Sequence, residues 1–115
     1  ATTSFFALGN VGMDQTLYGT QMCPNYPSCG GNATDTIPVS DLRYASLSTS
    51  FLSANTLLVT PGSNFELNVK KSTLSLDPTS ELNFWGINVP SAITLSGVYR
   101  GVNTIIGVQS EAQQW

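Results

Sequence analysis

Phe65-Glu66-Leu67-Asn68-Val69-Lys70 alternates apolar and polar residues, and it follows Leu57-Leu58-Val59-Thr60 across the turn dipeptide Pro61-Gly62. Strict alternation with a period of two puts one face of an extended chain in a core and the other in water. The pattern continues outward from there. Leu74 and Leu76 alternate until Asp77-Pro78 stops them. Leu82 and Phe84 lead into Trp85-Gly86, and Ile93, Leu95 and Tyr99 alternate with Thr94, Ser96 and Arg100. Thr104-Ile105-Ile106-Gly107-Val108 is apolar on both faces and reads as a central strand. Turn residues recur every 8 to 12 positions, as in an all-β fold built from an antiparallel sheet or sandwich. The expected core is Phe65, Leu67, Val69, Leu74, Leu76, Leu82, Phe84, Ile93, Leu95, Ile105 and Ile106.

The N-terminal half is less regular. Ser4-Phe5-Phe6-Ala7-Leu8 has strand propensity and ends at Gly9-Asn10. Residues 20–38 hold both cysteines and Pro24, Pro27 and Pro38, the composition of a long surface loop. Residues 40–54 fit two templates. Tyr44, Leu47 and Phe51 have helical spacing after the capping pair Ser40-Asp41, while Ala45, Leu47, Thr49 and Phe51 alternate. Serine is abundant there and lowers helix propensity, so the strand is preferred. At 115 residues the chain makes one domain, residues 1–115.

Composition removes several classes of function. The chain has no histidine, which excludes His-dependent triads, histidine metal ligands and histidine proton shuttles. Four Lys/Arg against seven Asp/Glu give a net charge of −3, so no basic face for nucleic acid can form. Charged residues are only 10% of the chain, and the polar surface is chiefly hydroxyl and amide. No run of 18 apolar residues is present to cross a bilayer as a helix.

Cys23 and Cys29 enclose Pro24-Asn25-Tyr26-Pro27-Ser28, and a disulfide closing this small loop is preferred over free thiols. No other Cys or His exists to complete a metal clip around them. Ala1-Thr2-Thr3 reads as a mature end left by a signal peptidase, and with the disulfide it places the protein in an exported, oxidising location. Asn32-Ala33-Thr34 is an N-glycosylation sequon by pattern.

No catalytic residue, cofactor or metal follows from the motifs. Asp77 with Glu81, and Asp35 with Asp41, are the nearest carboxylate pairs for a hydrolase, but neither sits in a motif tied to a mechanism, and solvated turn carboxylates are the preferred reading. Asp14, Asp35 and Asp41 can offer oxygen to calcium but lack the spacing of a calcium loop. Tyr18, Tyr26, Trp85, Tyr99 and Trp115 are candidates for a sugar-stacking platform, which keeps open a secreted carbohydrate-binding or adhesin sandwich. Trp85 beside Phe84 reads as core, and Trp115 after a polar tail packs on the domain or on a neighbour.

The low charge, the Ser/Thr/Asn surface, the small disulfide loop and the many short strands resemble exported filament subunits. The β-rich head domains of type IV pilins are of this length and commonly carry one disulfide. The run from Phe84-Trp85-Gly86-Ile87-Asn88-Val89-Pro90-Ser91 to Gly107-Val108 is similar to such a domain's tail. The prepilin Phe-Thr-Leu-Ile-Glu start and its apolar helix do not occur in this sequence. The chain therefore looks like the separate globular subunit of a split pilin, as in the Geobacter group. That resemblance implies a structural, non-enzymatic subunit of an extracellular pilus-like filament. It would pass through the periplasm during assembly and partner a helical pilin chain and copies of itself. Phe5, Phe6 and Trp115 are the expected partner contacts.

Overall fold

The computed structural model describes residues 1–29, 35–73 and 78–115. Seven strands run in chain order: β1 Thr2–Ala7, β2 Met13–Gly19, β3 Leu42–Ala45, β4 Asn55–Thr56, β5 Phe65–Val69, β6 Thr79–Ile87 and β7 Asn103–Gln109. Short 3-10 turns cover Val39–Asp41, Phe51–Ser53 and Ala112–Gln114. The strands form two antiparallel sheets, one ordered β1-β6-β3-β4 and the other β5-β2-β7. The protein is all-β, as the alternation predicts.

Two apolar clusters join the layers. Ala7, Leu67 and Val69 are buried together, with Phe5, Met13 and Phe65 packed on them. Leu17, Leu42 and Leu57 form the second, with Tyr44, Phe65, Trp85 and Ile105 around them. Phe65 belongs to both, and Tyr44 meets its ring edge-on at 4.9 Å. A polar contact crosses between the sheets too. The side-chain amide of Asn83 on β6 donates to Gln15 Oε1 on β2 at 3.0 Å, with both residues fully buried. The remaining amide atoms, Gln15 Nε2 and Asn83 Oδ1, have no hydrogen-bond partner among the described residues. A buried orphan of this kind costs about 1–3 kcal/mol.

The core differs from expectation in an instructive way. Leu67, Val69, Phe65 and Ile105 face inward as expected. Leu82, Leu95 and Ile106 are 41%, 54% and 41% exposed. Asn83 takes the inward face of β6 to reach Gln15, so Leu82 faces out. β7 is an edge strand, not the central one, and with Ile105 on its inward face Ile106 faces out. Residues 91–99 form no strand, and Ile93 and Phe84 are half-buried. Leu74 and Leu76 lie outside the described residues. The central strand of the smaller sheet is β2, whose Asp14, Gln15 and Thr16 are all buried. Within residues 40–54 the chain is extended only at Leu42–Ala45 and turns at Phe51–Ser53. Arg43 holds that turn by donating to the Phe51 and Leu52 carbonyls at 3.2 and 3.3 Å. The next strand is Asn55–Thr56, earlier than expected, and Leu57 then packs inward with its amide donating to Leu42 O at 3.0 Å.

Cys23 and Cys29 form the expected disulfide, with Cα atoms 5.5 Å apart. The loop is fixed to the sandwich on two sides. Cys23 exchanges backbone hydrogen bonds with Arg100, and Met22 with Ile37. The sequon Asn32-Ala33-Thr34 lies outside the described residues.

Candidate functional site

The three expected contact residues sit in different settings. Among the described residues β1 is an edge strand that pairs with β6 alone, in the register Thr2↔Phe84 to Ala7↔Thr79. Its alternation turns Phe5 into the first apolar cluster and Phe6 outward, leaving Phe6 50% exposed. Trp115 is half-buried on its own domain. Its ring N–H donates to Ser110 O at 2.9 Å, and a side chain at Gly12 would meet the Trp115 backbone and ring at about 3 Å. The Lys71 ammonium lies 6.0 Å from the ring centre.

The five aromatic residues considered for a sugar platform, Tyr18, Tyr26, Trp85, Tyr99 and Trp115, are each half-buried. Trp85 packs in the second cluster and donates its ring N–H to Thr3 Oγ1 at 3.0 Å. Tyr99 is half-buried and donates to Leu95 O at 2.8 Å.

The three aspartates considered for a calcium loop are apart. Asp35 is buried, and its Oδ1 accepts from Thr94 N, Thr94 Oγ1 and Leu95 N at 2.9–3.0 Å. The Thr94 amide is the chief cause holding the Asp35 carboxyl below the usual range, with the other two donors adding to it and burial opposing. This clamp fixes residues 94–95 beside the disulfide, and a cleft of about 220 Å³ lies between Pro24, Asn25, the two cysteines, Asp35 and Leu95. Asp41 accepts from the Asn88 side chain at 3.3 Å. Asp77 lies outside the described residues, so the pair with Glu81 is not described.

Asp14 instead joins two acids far from it in sequence. One carboxylate oxygen from each of Asp14, Glu66 and Glu111 lies within 4.8 Å of the others. A bulge creates the grouping. Met13 pairs with Val69 and Gln15 with Phe65, so Glu66, Leu67 and Asn68 stand opposite Asp14 alone. Asn68 takes a left-handed conformation, φ 55°, which asparagine tolerates better than most residues. Its amide then donates to Asp14 Oδ1 at 2.7 Å. The second oxygen, Oδ2, is buried with no hydrogen-bond partner among the described residues, as is Asn68 Oδ1. The charge on Asp14 is the main cause raising the Glu66 carboxyl above its usual range, followed by burial and by Glu111. No spacing in the sequence joins these three positions.

No protein-family model matches the sequence, and comparisons with curated proteins and with solved structures gave no match. No helix among the described residues is long and apolar enough to cross a membrane.

Proposed function

We propose that this protein is a structural subunit of an exported filament, working by burying its surface against a helical pilin partner and copies of itself. The observation that carries the reading is an inverted apolar balance. Among the described residues nine apolar residues are buried, while thirteen large ones are exposed. They include Leu8, Leu47, Leu52, Val59, Val89 and Val98, in the connections between strands. The radius of gyration is 16.4 Å, against about 13 Å for a compact chain of this length. Much apolar surface thus stays in water, with few charges to keep copies apart.

The sheet edges support the same reading. β4 is only two residues long and β5 is bulged, both ordinary defences against edge-to-edge pairing. β1 and β7 are edge strands among the described residues and carry no charge and no proline, so neither has these defences against an added strand. The disulfide is compatible with an oxidising, exported location. Antibody raised against the purified domain should decorate filaments sheared from source cells. Mass spectrometry of those filaments should find this chain beside a second, helix-forming one. Phe6→Ser, which spares the core, should reduce filament yield more than the Tm of the isolated domain. Recovery of the wild type solely as a free monomer outside the cell would refute the proposal.

A further inference from the structure

We propose that Asp14, Glu66 and Glu111 form a calcium site that ties β2, β5 and the segment after β7 together. Three features place it there. The first is geometry: an oxygen from each carboxylate lies within 4.8 Å of the others, close enough to share one ion. The second is the state of Asp14. The residue has no exposed surface, and its Oδ2 has no hydrogen-bond partner among the described residues. A buried carboxylate oxygen without a donor carries a desolvation cost that a bound cation removes. The third is the bulge. It satisfies Oδ1 with the Asn68 amide, leaves Oδ2 free and brings Glu66 to the same point.

The donors are all hard oxygen atoms, with no sulfur or imidazole, which selects a cation such as Ca2+ over zinc or copper. Calcium accepts irregular oxygen sets, carboxylates in one- or two-oxygen contact, and water in the remaining positions. Glu66 and Glu111 are exposed, so the ion has a route in and room for water ligands. Magnesium demands a near-ideal octahedron and dehydrates reluctantly, and this three-carboxylate corner suits it less well. The repulsion that raises the Glu66 carboxyl reverses when a divalent ion sits among the three acids. The site joins Glu111, beside the Ala112–Gln114 turn and Trp115, to the central strand of the smaller sheet. It is independent of the filament reading.

The test is thermal unfolding and calorimetric titration of the 115-residue protein, stripped with chelator and then supplied with CaCl2. At calcium about ten times Kd, the Tm should rise by about 5 °C. The expected Kd falls at about 10⁻⁴–10⁻³ M, as for extracellular calcium modules. Glu66→Gln and Glu111→Gln change exposed side chains and should leave the fold intact, and each should lose most of the calcium-dependent rise. Asp14→Asn should lose it entirely, but the two glutamate variants decide the matter should that chain fail to fold. Sodium chloride of matched ionic strength should give less than a fifth of the calcium effect. No calcium-dependent rise in the wild type, an equal rise in both glutamate variants, or an equal effect of sodium chloride would each overturn the site.

Discussion

Leu57 lies in a continuous apolar run and Leu95 in an alternating stretch, and the structure gives the two leucines opposite weights. Leu57 has no exposed surface and sits with Leu17 and Leu42 at the centre of the second cluster. Leu57→Ala removes three carbon atoms, about 2.5 kcal/mol at about 0.8 kcal/mol per buried methylene. The cavity then adds to this, since the surroundings relax only partly, giving a total of about 3–5 kcal/mol. The upper part of that range applies because the backbone around Leu57 is pinned. Its amide bonds to Leu42 O, and its Cδ2 would stand 2.6 Å from a methyl group placed on Gly19. Against a total stability of about 6–17 kcal/mol for 115 residues, this is a large loss. Leu95 is 54% exposed in a loop held by its backbone to Asp35, and Leu95→Ala should cost less than about 1 kcal/mol. Urea denaturation of both variants, analysed at constant m-value, reads the difference directly. Equal losses, or a larger loss at Leu95, would show that the inward and outward faces are assigned wrongly.

Gly19→Ala should destabilise by about 1–3 kcal/mol through overpacking, because the added methyl meets Leu57 Cδ2 and Asn103 Oδ1 at 2.6 Å and the Val102 carbonyl at 3.3 Å. Introduced into the Leu57→Ala background it should cost less than in the wild type, a coupling that a double-mutant cycle measures. Asp35 has a folded pKa below its ordinary 3.8, so its contribution is complete above that value and disappears as pH falls through the lower folded value. Asp35→Asn should therefore lower the Tm at neutral pH and shrink the difference from wild type in scans taken from pH 6 down to pH 3. Cys23→Ser with Cys29→Ser should lose about 2 kcal/mol from the entropy of the small closed loop, read by denaturation with and without reductant. Alkylation of the native protein without reductant should label neither cysteine.

The all-β class was legible because the alternation of Phe65, Leu67 and Val69 agrees with a strand that has one wet face. The disulfide was legible because its two cysteines are neighbours in a proline-rich loop. β2 was not. Met13-Asp14-Gln15-Thr16-Leu17 carries three adjacent polar residues, a pattern that argues against a central strand, yet all three are buried. Gln15 is accommodated by Asn83, and Asp14 by the Asn68 amide, partners far along the chain that no local pattern announces. The same partnership hid the face of β6, where a buried Asn83 turns Leu82 outward. The acidic cluster was equally hidden. Asp14 meets Glu66 and Glu111 only through the bulge of β5 and the β2–β7 register, both tertiary facts.

That register has a consequence for how the molecule is made. Met13 pairs with Gln109 and Gly19 with Asn103, so the central strand of the smaller sheet finds its β7 neighbour only after almost the whole domain has been synthesised. β1 likewise waits for residues 79–84. Pairings this distant along the chain close the largest loops and form late in folding. A chain that stops short of residue 103 has β2 paired with β5 alone, and the smaller sheet lacks its third strand.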